Sequence, residues 1–474
     1  MASLGTLYVA SEWIIRVAML FYVPQRRPPA SARAWLLLIF FLPWLGLFLY
    51  GLIGRVFLPQ RRLEMQAKVF EALKALGARE RPAAPPRPPL PPEFSPALDL
   101  AENLSEFSVV GGNRFELLPD YDTAIDRLVA EVEHARTSVH LLYYIFAADA
   151  VGERVAAALE RASQRSVNVR VVMDAIGSRA GLKRIAPRMR AAGIEVTSAL
   201  PLRLWGPNKA RIDLRNHRKI AVIDGRLAFF GSQNIVSAHA NRGLTNEEMM
   251  VRATGPIVRE LHAVLLADRY FEVGDIPPEA REVDAQAVAH PATGLAQVLP
   301  SGPGYNAGTT EDLMISLMSA ARTRVVLTTP YFIPSESFLL AMELAARRGV
   351  AVHLIVDKAS NKPLVQFAQQ SYYEELLDAG VHVHRYFGNF LHAKHMSVDD
   401  EVALIGSSNF DMRSFALNAE VSVLIYDRTV TAELGTVQAR YLARSEHLNQ
   451  DAWAQRGLAR RVLENLARLT DSLL

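Results

Sequence analysis

The chain has 474 residues, 50% of them hydrophobic, and sets 52 basic against 49 acidic residues for a formal net charge of +3. That length and apolar content allow two or three domains with large cores. The balanced charge offers no long basic stripe for a nucleic-acid backbone, and the absence of cysteine excludes disulfides, thiolate metal sites and cysteine nucleophiles.

Residues 34–54, AWLLLIFFLPWLGLFLYGLIG, carry no charge over a length that crosses a bilayer. Trp35, Trp44 and Tyr50 add interfacial character, and Pro43 is tolerable in a membrane helix. Residues 4–23 are apolar except for Glu12 and Arg16, which lie one helical turn apart and can pair. Unpaired, each would cost about 2.5–3.5 kcal/mol at mid-bilayer. The expectation is a transmembrane hairpin within residues 1–62, with an interfacial helix as the alternative for 4–23. No basic stretch precedes it, which argues against a cleaved signal peptide. Arg26, Arg27 and Arg33 lie between the segments and Arg55, Arg61, Arg62 and Lys68 follow them, a slight lean toward a cytoplasmic C-terminal domain.

Residues 63–100 read as a juxtamembrane helix, MQAKVFEALKALGARE, and then an extended spacer with eight prolines between Pro82 and Pro96. Beyond residue 100, strand and helix patterns alternate twice over. SVNVRVVMDAIGS (166–178) answers GVAVHLIVDKAS (349–360), aligning Asp174 with Asp357; AAGIEV (191–196) answers DAGVHV (378–383). Each half, 101–290 and 291–474, reads strand, helix, strand, helix, strand, hairpin.

NHRKIAVIDGRLAFFGSQN (216–234) turns on Asp224-Gly225, a strong hairpin signal. With Ile223 paired to Arg226, His217 falls opposite Ser232, so His217, Lys219, Ser232 and Asn234 share one face while Asp224 sits in the turn. LHAKHMSVDDEVALIGSSN (391–409) repeats this with His392, Lys394, Ser407 and Asn409, and Asp399 in the turn. NEE, ending in Glu248, and NAE, ending in Glu420, each precede a strand. A polar surface hairpin explains one copy; it does not explain two at equivalent places.

The doubled His-x-Lys-x4-Asp-x6-Gly-Ser-x-Asn pattern resembles the phospholipase D superfamily. The membrane segment with TTPYFIP, GSSNFDMRSFALNAE and the tail ARRVLENLARLTDSLL is similar to the membrane-anchored bacterial cardiolipin synthases. The resemblance implies an α/β fold of two phospholipase D-like halves, each a mixed β-sheet flanked by helices, sharing one active site. It implies phosphatidyl transfer between two phosphatidylglycerols, releasing glycerol, through a phospho-histidine. Metal-free phosphodiester chemistry needs a nucleophile, a proton donor and fixed cations. By resemblance His217 attacks, His392 serves as acid and base, and Lys219 and Lys394 replace a metal. Asp224 and Asp399 complete the catalytic motif by name, although the hairpin argument makes them structural. Ser232, Asn234, Ser407 and Asn409 donate to the phosphoryl oxygens, and Glu248 and Glu420 fix the histidine tautomers.

Arg413 and Ser414 are candidates for the acceptor phosphate, and Tyr331 and Phe332 for the lipid entrance, against ion-pair and core-packing alternatives. His140, His353, His382 and His384 read as packing residues. The last helix, with Leu463, Leu466 and Leu469 opposite its arginines, is expected to dock on the core, with the membrane interface as the alternative. No cofactor or metal is expected. The expected partners are phosphatidylglycerol and cardiolipin in the bacterial inner membrane, with no nucleic acid and a homodimer left open. The competing functions are a hydrolytic phospholipase D, a tethered phosphodiesterase nuclease and a lipid-binding scaffold.

Overall fold

A computed structural model describes residues 4–27, 29–54, 58, 61–69, 87–105, 107–202, 211, 213–240, 243–275, 293–305, 309–358 and 362–469. Most of the proposed juxtamembrane helix and residues 81–86 of the proline stretch lie outside them. The rest of that stretch is not an extended spacer. Phe94 is buried, and a helix from Ser95 to Leu104 packs its Ala97, Leu98 and Ala101 into the core of the second half.

The first half forms a seven-stranded sheet in the order Arg114–Leu118, Met250–Thr254, Leu227–Gly231, Lys219–Ile223, Ser138–Tyr143, Asn168–Asp174, Glu195–Ala199. The last three strands are parallel and the remaining pairs antiparallel. The second half repeats the scheme. His382–Tyr386, Ala351–Asp357 and Arg324–Thr329 run parallel, followed by His395–Val398, Val402–Gly406, Glu420–Tyr426 and Leu295–Ser301, with Ser445–His447 added at the edge. The continuous apolar runs of the central strands match burial on both faces. One core underlies the helices outside each sheet. A third joins the inner faces of both sheets through helices Ile257–Val273 and Arg428–Ala443.

Both hairpins differ from the expected register by one residue. Asp224 and Gly225 both adopt positive φ and Arg226 donates back to Ile223, as in a two-residue turn, but the ladder resumes at Ile223 and Leu227. Val398 likewise pairs with Val402, not Glu401. The added residue displaces each serine from the position directly across from its histidine.

The N-terminal segment departs further. Leu4–Tyr22 is one helix long and apolar enough to span. Residues 34–54 are not. The chain breaks at Leu42 (φ −131, ψ 72) into helices Pro29–Phe41 and Pro43–Ile53, of 13 and 11 residues. At 1.5 Å per residue these reach roughly 20 and 17 Å, well short of a hydrocarbon core of about 30 Å. They fold back on each other: a Cβ on Gly46 would meet Ile39 Cα at 2.8 Å, and Trp35 stacks edge-on against Tyr50 at 5.2 Å. Pro43 lacks the N–H that would continue the first helix. Arg16 compensates, donating from Nε to the Phe40 carbonyl at 2.9 Å while pairing with Glu12 at 3.3 Å. An arginine on an apolar helix is thereby matched to a carboxylate and to the carbonyl end of a broken helix.

Candidate active site

The two motifs meet across the junction of the halves through exchanged backbone contacts. His217 N–H donates to Ala419 O at 2.8 Å and Ala419 N–H to Arg215 O at 2.9 Å; His392 N–H donates to Glu247 O at 2.8 Å and Phe390 N–H to Thr245 O at 2.9 Å. Each histidine strand therefore lies beside the NEE or NAE segment of the opposite half. The side chains follow. His217 Nδ1 bonds Glu420 at 2.9 Å and His392 Nδ1 bonds Glu248 at 2.7 Å. With both Nδ1 atoms engaged, the two Nε2 atoms are left for chemistry.

The serines do not act as expected. Ser232 Oγ donates to Glu248 at 2.5 Å and accepts from Met249 N–H; Ser407 Oγ donates to Glu420 at 2.6 Å and accepts from Val421 N–H. They hold the carboxylates that hold the histidines, and their hydroxyl protons are not available to a phosphoryl oxygen. Lys219 and Lys394 are buried, each donating to the carbonyl of the histidine two residues before it. Asn234 accepts from Ile145 N–H at 3.1 Å, and Asn409 Oδ1 is buried with no hydrogen-bond partner among the described residues.

Asp224 and Asp399 are a correction to the catalytic set. Asp224 accepts from the N–H groups of Arg136, Thr137 and Ser138, and Asp399 from those of Arg322, Thr323 and Arg324. They brace the turn against the start of the central strand, at the end of the hairpin away from the histidines. Arg413 donates to Asp213 O at 2.6 Å across the halves, and Ser414 is buried with its N–H on Asp411. Phe332 lies in the second-half core between Phe338 and Tyr372, so it does not line an entrance. Tyr331 carries the Lys362 ammonium 4.5 Å above its ring. His140 bonds His262 at 2.7 Å, and His353 bonds His384 at 3.0 Å in a stacked row with His382 and His447.

Several positioning residues escaped the sequence reading. Asp174 accepts from Asn216 N–H at 3.0 Å and Asp357 from Leu391 N–H at 2.9 Å, in each case the residue before the histidine. Their alignment in the repeat was the available signal. Arg218, wholly buried, pairs with Asp268 and donates to the Glu420 carbonyl at 2.8 Å. Alanine at 393 gives the second half no equivalent. The Tyr144 ring lies 4.7 Å from that of His217.

Burial dominates the electrostatics. It holds His217 well below the ordinary imidazole range, helped by Lys219 and Lys394, and His392 at about 4 despite the support of Glu248. It lowers Lys219 to about 8 and Lys394 to about 7, against the pull of Glu420 and Glu248. The carboxylates diverge. Burial lifts Glu420 to about 7, whereas for Glu248 burial is outweighed by His392, Lys394 and Ser232, which keep it below the usual range. Glu248 is the firmer anion, and the pocket as a whole is built to receive negative charge.

Comparison with known proteins places these features in context. A family model described as "Cardiolipin synthase, PLD-like domain" matches residues 128–271 and 314–440, and one described as "Phospholipase_D-nuclease N-terminal" matches 13–55. A cardiolipin synthase A of Pectobacterium atrosepticum is 34% identical over 97% of this chain and 96% of its own length. One from Proteus mirabilis is 33% identical over 98% and 97%. The crystal structure of a phosphatidylserine synthase from Haemophilus influenzae superposes with a TM-score of 0.60 over 79% of this chain and 99% of its own, at 15% identity, a likeness of fold.

Proposed function

Since the chain belongs to the phospholipase D-like cardiolipin synthase family, we propose that it transfers a phosphatidyl group between two phosphatidylglycerols to form cardiolipin and glycerol. The observation that carries this reading is the crossed pairing of each histidine with the glutamate of the other half. It engages both Nδ1 atoms and so orients both imidazoles, which lie in the field of two buried lysines.

His392 takes up a proton on Nε2 as the anionic phosphate docks; His217 Nε2 then attacks phosphorus while His392 gives that proton to the departing glycerol oxygen, leaving a phospho-histidine and a neutral His392. His392 then takes the proton of the second lipid's hydroxyl, whose oxygen displaces His217 and forms cardiolipin. A nucleophile must be neutral, whereas the acid must enter the step as imidazolium. His217, held neutral by burial and by the nearby Lys219 and Lys394 charges, suits the first role. His392, facing the firmer anion Glu248, suits the second. Lys219 and Lys394, cations below about 8 and about 7, receive the phosphate and offset charge on its oxygens. Asn234 and Asn409 are the remaining side-chain amides for those oxygens.

The catalytic unit sits in the bacterial inner membrane, and we place it on the cytoplasmic side. If Leu4–Tyr22 crosses once and residues 29–53 are re-entrant, then Arg26, Arg27, Arg33, Arg55, Arg61, Arg62 and Lys68 all fall on the side of the catalytic halves. The positive-inside rule then points one way. Arg27, lowered by burial and by the Arg211 charge, lies beside Arg211 and Asp213 of the first half, which supports this arrangement.

The test is purified protein in bilayers with phosphatidylglycerol alone. Cardiolipin and glycerol are expected in near-equal amounts, phosphatidic acid as a minor product, and reversal by added glycerol. Dominant phosphatidic acid with no effect of glycerol would make the protein a hydrolase.

A further inference from the structure

The last helix, Leu458–Arg468, docks by its charged side. Glu464 is 1% exposed, and Arg456 and Arg460 both pair with it at 3.1 Å. Arg461 reaches Glu374 at 3.2 Å and Arg468 reaches Glu375 at 3.4 Å. The opposite side presents Leu458, Val462, Leu463, Leu466 and, just beyond the helix, Leu469, each 47–76% exposed. A single exposed leucine needs no explanation. A stripe of five along three turns marks a contact surface.

What covers the stripe follows from its neighbours. The helix packs on Pro363–Gln370, with Arg460 bonding Gln370 at 3.0 Å. Immediately before Pro363 stands Lys362, over the Tyr331 ring and within reach of the charges of Asp411, Arg413 and His217. Arg413 in turn bonds Asp213, beside which lies Arg27 in the turn between the apolar helices. A chain of contacts thus links the turn after Leu4–Tyr22, the edge of the active site and the helix that carries the leucine stripe.

We propose that the leucine face of Leu458–Arg468 inserts into the headgroup–acyl boundary of the same bilayer that holds the N-terminal helices, as a second attachment that fixes the active-site mouth against the lipid surface. An interfacial helix of this kind sinks about 5–10 Å, to the depth of its apolar face. A single N-terminal tether leaves the catalytic halves free to turn, whereas two attachments on either side of the mouth set its orientation. A second copy of the chain is the other occupant such a stripe could take; continuity with the anchor favours lipid.

Because the chain has no native cysteine, the full-length protein in phosphatidylglycerol–phosphatidylethanolamine nanodiscs accepts a fluorophore at Leu463→Cys or Leu466→Cys alone, with Gln164→Cys as a solvent reference. Nitroxide placed high on the acyl chain is expected to remove most of the emission at 463 and 466 and little at 164, with aqueous iodide showing the reverse order. Strong iodide quenching at 463 and 466 would overturn the proposal. So would protection from both quenchers with crosslinking between copies, which would assign the face to a dimer. The readout needs no turnover, so its failure leaves the transfer reaction untouched, and failure of the reaction leaves the docking standing.

Discussion

Replacing Glu248 by glutamine separates the two histidines by role. Glu248 is 1% exposed, its Oε1 lies 2.7 Å from His392 Nδ1, and its other oxygen accepts from Ser232 at 2.5 Å. Glutamine matches its shape and keeps an acceptor for the Nδ1 proton, so the change removes charge rather than volume. A hydrogen bond to a charged group contributes about 1.5–3 kcal/mol, and losing that from the imidazolium form of His392 that protonates the leaving group slows the step roughly 10- to 150-fold. The assay compares cardiolipin formation from phosphatidylglycerol with release of p-nitrophenol from phosphatidyl-p-nitrophenol, whose leaving group departs without a proton. Glu248→Gln should lose the full factor on the first substrate and little of the p-nitrophenol burst on the second. Glu420→Gln, which acts on the attacking His217, should lose on both. Equal losses by Glu248→Gln on the two substrates, or a burst spared in Glu420→Gln instead, would refute the assignment.

With Lys394 at about 7 and Lys219 at about 8, both lowered by burial, rising pH strips the cations that receive the phosphate. kcat/KM is therefore expected to hold on the weakly acidic side, where His217 is still neutral, and to fall as pH rises through that interval; a rise there would contradict it. Asp224→Asn weakens the bracing of the turn to Arg136, Thr137 and Ser138 and should cost about 1–3 kcal/mol of stability, read by thermal melting, with turnover largely kept at low temperature. Loss of turnover in a fully folded variant would return Asp224 to the chemistry. For topology, an impermeant maleimide should reach Leu4→Cys and Gln164→Cys from opposite sides of the membrane, as one crossing by Leu4–Tyr22 requires. Labelling of both from one side would restore two full spans.

The repeated strand–helix order and the His-x-Lys hairpins were legible because each rests on local signals: turn residues, period-two alternation and the recurrence of one pattern in a duplicated chain. The pairing of Asp174 with Asp357 was visible too, although its meaning was not. What each aspartate holds is the backbone before a histidine about 40 residues away, and sequence spacing carries no such distance. The serines were misread for a related reason. One residue added at each turn changed the register, and their true partners, Glu248 and Glu420, come from the next strand of the sheet.

Local sequence pointed to the residues proposed for phosphoryl chemistry, since imidazoles and ammonium groups recur there in a doubled motif. Only the tertiary structure decided how they are shared. Each histidine depends on a carboxylate of the opposite half, because the two sheets exchange backbone hydrogen bonds at their junction and bring His217 to Glu420 and His392 to Glu248. Hydropathy likewise marked residues 34–54 as apolar but could not tell one helix from two. That depended on Gly46 admitting the Ile39 backbone and on Arg16, from another helix, reaching the Phe40 carbonyl freed by the break.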